Sequence, residues 1–185
     1  MLDPVNKIAI IRYYTARVSG RNDRLEPKRQ NAYLRAIATL PEVSIHYGNF
    51  LPKIINRPLV NPISGAPLYV DVHSTEEKGS DVNLASHLLW DGWRGAYDVA
   101  VVVTADTDLV EPIRIVTQEL GKTVGLICPA GAAPKKLKEV IKFVRHVTPA
   151  RLAAAQFPNT VIAGNGKEIH RPAEWGQPRG RLPRA

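Results

Sequence analysis

Three aspartates, Asp81, Asp106 and Asp108, have the type and spacing to hold a hard cation. Carboxylate oxygens are the ligands that Mg²⁺ and Mn²⁺ select. Three of them brought together repel one another unless a cation or protons intervene. Asp106 and Asp108 lie in TADTDL, directly after the apolar run DVAVVVT (Asp98–Thr104). Asp81 lies in GSDVNLA, where apolar residues begin to recur at helical spacing. Ions held in this way can grip a phosphodiester, activate water and stabilise the leaving oxygen. Each segment also has a simpler use. Asp81 suits a helix start, where the dipole favours a carboxylate. Asp106 or Asp108 suits a cap on the helix that follows.

Other reactive types are less concentrated. Lys78 is placed to meet a phosphate or to solvate a turn, and Glu76 and Glu77 beside it to serve as auxiliary ligands or as solvated charges. Trp90 and Trp93 can stack on bases or pack against a neighbour. His46, His73, His87, His146 and His170 are scattered, and none has an evident catalytic partner in the sequence. Cys128 stands alone, so no internal disulfide forms, and it reads as a small core residue. Histidine and cysteine nowhere show zinc spacing. No GxxxxGK[ST] loop occurs, and GNGK at Gly164–Lys167 lacks the strand and helix that a phosphate loop needs. No GxSxG elbow is present.

The elements that must position the aspartates are legible as alternating apolar patterns. Lys7–Tyr14 (KIAIIRYY) and Val43–Leu51 read as strands, with a helix opened by Pro27 and closed by Pro41 between them. Lys53–Pro67, rich in proline, reads as an irregular connection. Leu68–His73 alternates as a half-buried strand and leads to the helix that holds Asp81 and runs to Trp93. Asp98–Thr104 is apolar on both faces, as in the middle of a parallel sheet. A helix follows from Val110 to Leu120, with Gly121 as its C-cap, and then a buried strand at Lys122–Cys128. Leu137, Val140, Ile141 and Val144 predict an amphipathic helix over Pro134–Val147. Strands alternating with helices predict a three-layer α/β fold. In such a fold ligands bind outside the carboxyl ends of the strands, which is where Asp106 and Asp108 sit.

Composition narrows the function classes. The 185 residues suit one domain with a real core. No apolar run approaches the roughly 20 residues that cross a bilayer, and the N-terminus lacks a signal-peptide layout, so a cytoplasmic protein is expected. The net charge of +8 favours a polyanionic partner such as nucleic acid, with salt-sensitive binding. Part of that excess lies at Arg171, Arg179, Arg181 and Arg184. There glycine, proline and arginine become frequent, and residues 164–185 are expected to form a basic, extended tail.

Two stretches, TEEKGSDVNLA (Thr75–Ala85) and VVVTADTDLVEPIRIV (Val101–Val116), resemble the NYN branch of the PIN-like nucleases. The similarity continues in YYTARV (Tyr13–Val18), in Lys28–Phe50, in GKTVGLICP (Gly121–Pro129), and in the late AAAQFPN and IHRPAEW stretches. It implies a Rossmann-like PIN-type domain over residues 1–163 with a mainly parallel sheet. It also implies a metal-dependent ribonuclease using Mg²⁺ or Mn²⁺. By this resemblance Asp81 is the helix-start ligand, Asp106 and Asp108 are the acidic pair, and Thr104 is the hydroxyl residue preceding that pair. Ala105 stands where the family usually has Asn or Gly.

Family members begin with a strand ending in an Asp-Gly-x-Asn-type motif that supplies a further carboxylate. The sequence here starts after that point, and Asp3 precedes the first strand rather than following it. The resemblance therefore implies an N-terminally truncated fold with weak or no nuclease activity. The strands at Lys7–Tyr14 and Asp98–Thr104 would pair directly, or leave a gap covered by a second copy, or await an upstream segment. A non-catalytic module that binds nucleic acid is the alternative from another class. A phosphatase or nucleotide-sugar transferase using TADTD would leave the Asp81 helix unexplained.

Overall fold

The computed structural model describes residues 5–21, 23–62, 64–65, 67–129 and 131–176. Asp3, Arg179, Arg181 and Arg184 lie outside them. In chain order the elements are β1 (Ile11–Ala16), α1 (Glu26–Ile37), β2 (Val43–Pro58), β3 (Tyr69–Lys78), α2 (Ser80–Trp93), β4 (Val99–Val103), α3 (Val110–Arg114), β5 (Thr123–Cys128), α4 (Lys135–Lys138), β6 (Phe143–His146), α5 (Pro149–Ala154), β7 (Thr160–Ile162) and β8 (Glu168–His170). The protein is α/β, with one fully parallel sheet and one mixed sheet. No helix among the described residues is long and apolar enough to cross a membrane.

The parallel sheet has the order β4-β5-β6. Its centre is β5, where Val124 and Leu126 are wholly buried and Cys128 nearly so. Apolar strands without alternation need cover on both faces. Leu84, Ala85, Leu88 and Leu89 of α2, Ile113 of α3 and Leu137 of α4 supply it. The helix of α3 continues as a π-helical turn, Ile115–Glu119, which buries Val116. Gly121, at φ 63°, then reverses the chain into β5.

The mixed sheet has the order β1-β2-β3. The β1–β2 pair is parallel, joined over the sheet by α1, and β2–β3 is a long antiparallel ribbon. The sheet packs on α2 as well, so one helix lies against both sheets. β1 and β4 do not pair with each other, and each is hydrogen-bonded on one side. The direct pairing that the sequence left open for these two strands is therefore not found.

Several expected boundaries move. Val99–Val103 is an edge strand of its hydrogen-bonded sheet, and β5 takes the middle place expected for it. Both runs are apolar, and pattern alone does not order strands. Lys53–Pro58 is strand rather than irregular connection, because Pro52 and Pro58 sit in a two-stranded ribbon with open edges that tolerate proline. The helix expected over Pro134–Val147 ends at Lys138, and Phe143–His146 is a strand. Its apolar residues match helical spacing, but β6 satisfies the open edge of β5, and the Phe143 ring lies where a side chain on Gly125 would stand. Finally, β7 and β8 form a hairpin across the expected 163/164 boundary. Ile169 is buried there, and Trp175 meets Tyr33 of α1 edge to face, with centroids 6.3 Å apart. Residues 164–176 are thus part of the folded body, not a tail.

Candidate acidic site at the strand ends

Asp81 is placed by a tight junction. β3 runs to Lys78, Gly79 turns at φ 98°, and α2 begins at Ser80. Only glycine adopts that backbone without strain. Across the junction passes β2 at Gly48. A Cβ there would stand 2.5 Å from the Lys78 carbonyl oxygen and 3.2 Å from Ser80 Oγ. Gly48 therefore lets β2 lie against the start of α2. Ser80 donates to the Glu77 carboxylate, which ties the turn down.

The other two aspartates follow β4. The Asp106 backbone N–H donates to Thr104 Oγ at 3.0 Å. The Asp106 carboxylate in turn accepts from the Asp108 backbone N–H at 2.9 Å, through Oδ1. Asp106 is thus a real cap of the short turn Thr107–Leu109. That role uses one carboxylate oxygen and leaves the other for a ligand, so capping and metal binding are compatible.

The three sites are electrostatically joined. The Asp81 carboxyl lies above the usual carboxylate range, first because surrounding chain strips part of its hydration and then because Asp106, Glu77 and Asp108 repel its charge. Asp81 itself remains exposed, so the effect is modest. Four carboxyl groups from the end of β3, the start of α2 and the end of β4 therefore share one neighbourhood. The donors are all oxygen, which suits Mg²⁺ or Mn²⁺ and not a soft metal. Among the described residues no three histidine, cysteine, aspartate or glutamate side chains stand close enough to enclose an ion. The chemistry of the donor set fits a hard cation.

Lys78 sits at the site's edge but pairs with Glu76 at 3.2 Å, and Glu76 also takes Lys53 at 2.6 Å. These two lysines hold the Glu76 carboxyl below its ordinary range, Lys53 more than Lys78. Lys78 is therefore engaged across the ribbon. Trp90 and Trp93 are 56% and 74% exposed, beside Ile115 and Leu120, at the opposite end of α2 from Asp81.

A second polar cluster escaped sequence reasoning. Arg12 of β1 grips Asp91 of α2 with both Nε (2.7 Å) and Nη2 (3.0 Å). Its Nη1 lies 3.1 Å from His46 Nε2. The Tyr14 hydroxyl is 3.1 Å from His87 Nδ1, and the two imidazole rings have centroids 4.2 Å apart. Burial pushes the Tyr14 hydroxyl up to about 12. Burial lowers both imidazoles; His87 and then Arg12 add to this at His46, and Arg12 alone at His87. These residues lie as far as 79 positions apart, and no local spacing announces them.

No family model matches the chain. Over 114 residues it is 32% identical to the 6-hydroxy-3-succinoylpyridine 3-monooxygenase HspA of Pseudomonas putida. The match covers 59% of this chain and 36% of that protein, so the chain spans about a third of the relative's length. A solved structure of a protein of unknown function from Vibrio parahaemolyticus aligns with a TM-score of 0.48 and 14% identity, covering 75% of this chain and 68% of the other.

Proposed function

We propose that the chain is a metal-dependent ribonuclease domain of the PIN-like class, NYN branch. The observation that carries this reading is the coupling of Asp81 to Asp106 and Asp108 across two elements at the carboxyl end of β4. Carboxylates that repel one another in the absence of a ligand form a site that a cation completes.

Asp81, Asp106 and Asp108 would hold Mg²⁺ or Mn²⁺. The ion supplies a lowered pKa for water and charge to balance the phosphate and the leaving oxygen. The chain's own residues do the positioning. Thr104 fixes the Asp106 backbone, and Asp106 fixes the backbone of Asp108. Gly48 and Gly79 set the entry of α2 and with it Asp81. Glu77, held by Ser80, adds a carboxylate at the rim. The net charge of +8 supports an RNA partner bound in a salt-sensitive manner.

The test is cleavage of a single-stranded RNA with Mn²⁺, comparing wild type with Asp106→Asn. Cleavage lost with EDTA and reduced at least about 100-fold in the variant is expected, as for removal of an essential electrostatic group. RNA binding without cleavage in either protein would assign a non-catalytic nucleic-acid-binding module instead. The 32% identity favours a second reading, part of a monooxygenase acting on a pyridine compound. Oxygen uptake with 6-hydroxy-3-succinoylpyridine and an electron donor, unaffected by Asp106→Asn, would support it over hydrolysis.

A further inference from the structure

We infer that Lys135 and Lys136 of α4 hold the phosphate backbone of an RNA strand beside the acidic site. The inference rests on the RNA-directed reading above. Charge is not spread evenly along the chain. Residues 1–130 carry 14 basic and 14 acidic side chains, whereas residues 131–151 carry six basic ones, Lys135, Lys136, Lys138, Lys142, Arg145 and Arg151, against Glu139 alone. Residues 152–176 are again balanced, with two of each. Up to residue 176 the excess that favours a polyanion is therefore confined to α4, β6 and α5 with their connections. A surface charged only for solubility gives no reason for that concentration.

The fold brings the start of that segment to the aspartates. β4 and β5 are parallel, and Val103 at the end of β4 pairs with Ile127, so both strands leave the sheet at one edge. From β4 the chain enters the turn Thr107–Leu109, which Asp106 caps and which holds Asp108. From β5 it passes through residues 131–133 into α4, and α4 packs directly on the Thr107–Leu109 turn. Leu137 of α4, Ala133 before it and Leu109 of the turn belong to one buried cluster, which fixes the two segments against each other. With Leu137 turned inward, Lys135, Lys136 and Lys138 are exposed. The chain then heads away, because β6 begins at the opposite edge, where the Lys142 backbone N–H donates to the Val124 carbonyl. Lys135 and Lys136 are thus the cations of this segment that set off from the edge where Asp106 and Asp108 stand. A compact charge on a flexible four-carbon stem suits a phosphate backbone, which is gripped without reading its bases. The aspartates repel phosphate, so two cations at their border let a polyanion lie across the edge before a metal balances the site.

The experiment is fluorescence anisotropy with a labelled single-stranded RNA in EDTA, where binding is read without turnover. The double variant Lys135→Gln with Lys136→Gln is expected to weaken binding roughly tenfold at about 0.1 M salt. It should also lower the slope of log affinity against log salt by about 1.4, for two phosphate contacts on a single strand. Lys135→Arg with Lys136→Arg keeps both charges and is expected to bind as wild type does. Lys142→Gln with Lys167→Gln is the control. It removes the same charge from the amino end of β6 and from the turn of the β7–β8 hairpin, which packs on α1, and is expected to cost less than about twofold. With Mn²⁺ the α4 glutamine variant is expected to raise KM for cleavage about tenfold and to leave kcat within about twofold, because it removes backbone binding and not the metal. Equal losses for the two glutamine pairs, or no loss in the α4 pair, would overturn the assignment. So would an α4 pair that loses binding to phosphatidylserine vesicles and keeps it to RNA, which would give the patch to a membrane surface. RNA binding that depends on these lysines, with no cleavage by wild type, sinks the hydrolase and leaves the surface standing. Metal-dependent cleavage with an unchanged KM in the α4 pair does the reverse.

Discussion

The two sheets meet α2 by opposite means. The β4–β5–β6 sheet joins it through a dry cluster in which Ile113, Val116, Val124, Leu126 and Leu137 have no solvent exposure. The β1–β2–β3 sheet joins it through Arg12, Tyr14 and His46, which reach Asp91 and His87. Burial of apolar surface is non-directional and stabilises any arrangement that excludes water. A polar joint is strong only while every donor meets its acceptor. The helix that carries Asp81 is thus anchored firmly on one side and conditionally on the other.

Substitutions in each joint sharpen that contrast. Leu126→Ala empties a wholly buried position and is expected to cost about 2–5 kcal/mol, lowering the midpoint of a urea melt for the whole chain. Asp91→Ala leaves Arg12 in a part-buried site without its carboxylate. Because Arg12 keeps 20% side-chain exposure, the loss is expected to be smaller, about 2–3 kcal/mol. Its signature is also local: amide exchange should quicken in β1 and β2 before β5. Uniform loss of protection in all three strands would show that the halves unfold as one, and the contrast would fail.

These two joints also explain what the sequence disclosed. The apolar joint is written in consecutive residues. DVAVVVT and KTVGLIC are recognisable as strands, of which only the second is buried along its length, and GSDVNLA and TADTDL as the elements that bear the aspartates. The order of those strands is set by which edges remain open, and pattern does not encode that. Arg12 and Asp91 look like surface charges when read in place, since nothing local records a partner 79 residues away. The β6 region misleads in another way. Leu137, Val140, Ile141 and Val144 do pack toward the core cluster, but from a short helix, a turn and a strand rather than from one helix.

The polar joint should respond to acid and the apolar one should not. Both His46 and His87 titrate below their ordinary value in the folded chain, first through burial. The unfolded chain therefore takes up protons before the folded chain does. Stability contributed by the neutral imidazoles is present above the unfolded histidine pKa of about 6.5 and is lost as pH falls below it toward the folded values. Arg12 faces His46, Ser44 shares its Nε2, and Tyr14 and Asp91 complete the surroundings, so no carboxylate is left to welcome a second cation. Thermal melts between pH 7.5 and 5 should show a falling midpoint in wild type and a flatter one in His87→Gln. A midpoint with the same slope in both would place the acid response elsewhere.

The smallest expected effect concerns the residue that both joints exist to hold. Asp81 has a carboxyl raised above its ordinary value, by partial loss of hydration and then by Asp106, Glu77 and Asp108. A raised carboxyl pKa means that the fold disfavours the charged form, so this group opposes folding once pH is above its folded pKa. Removing the charge should then stabilise the metal-free protein slightly. Asp81→Asn is expected to raise the thermal midpoint by about a degree at pH 7.5 in EDTA, since the side chain remains exposed and water screens most of the repulsion. The same variant should gain nothing from added Mn²⁺, while wild type gains stability in proportion to how tightly it binds the ion. Opposite responses of the two proteins to EDTA and Mn²⁺ would identify Asp81 as a group kept for binding at a cost to the fold. A lower midpoint for Asp81→Asn in EDTA would mean that the carboxylate serves α2 as a helix-start charge, and the metal reading of this residue would fall.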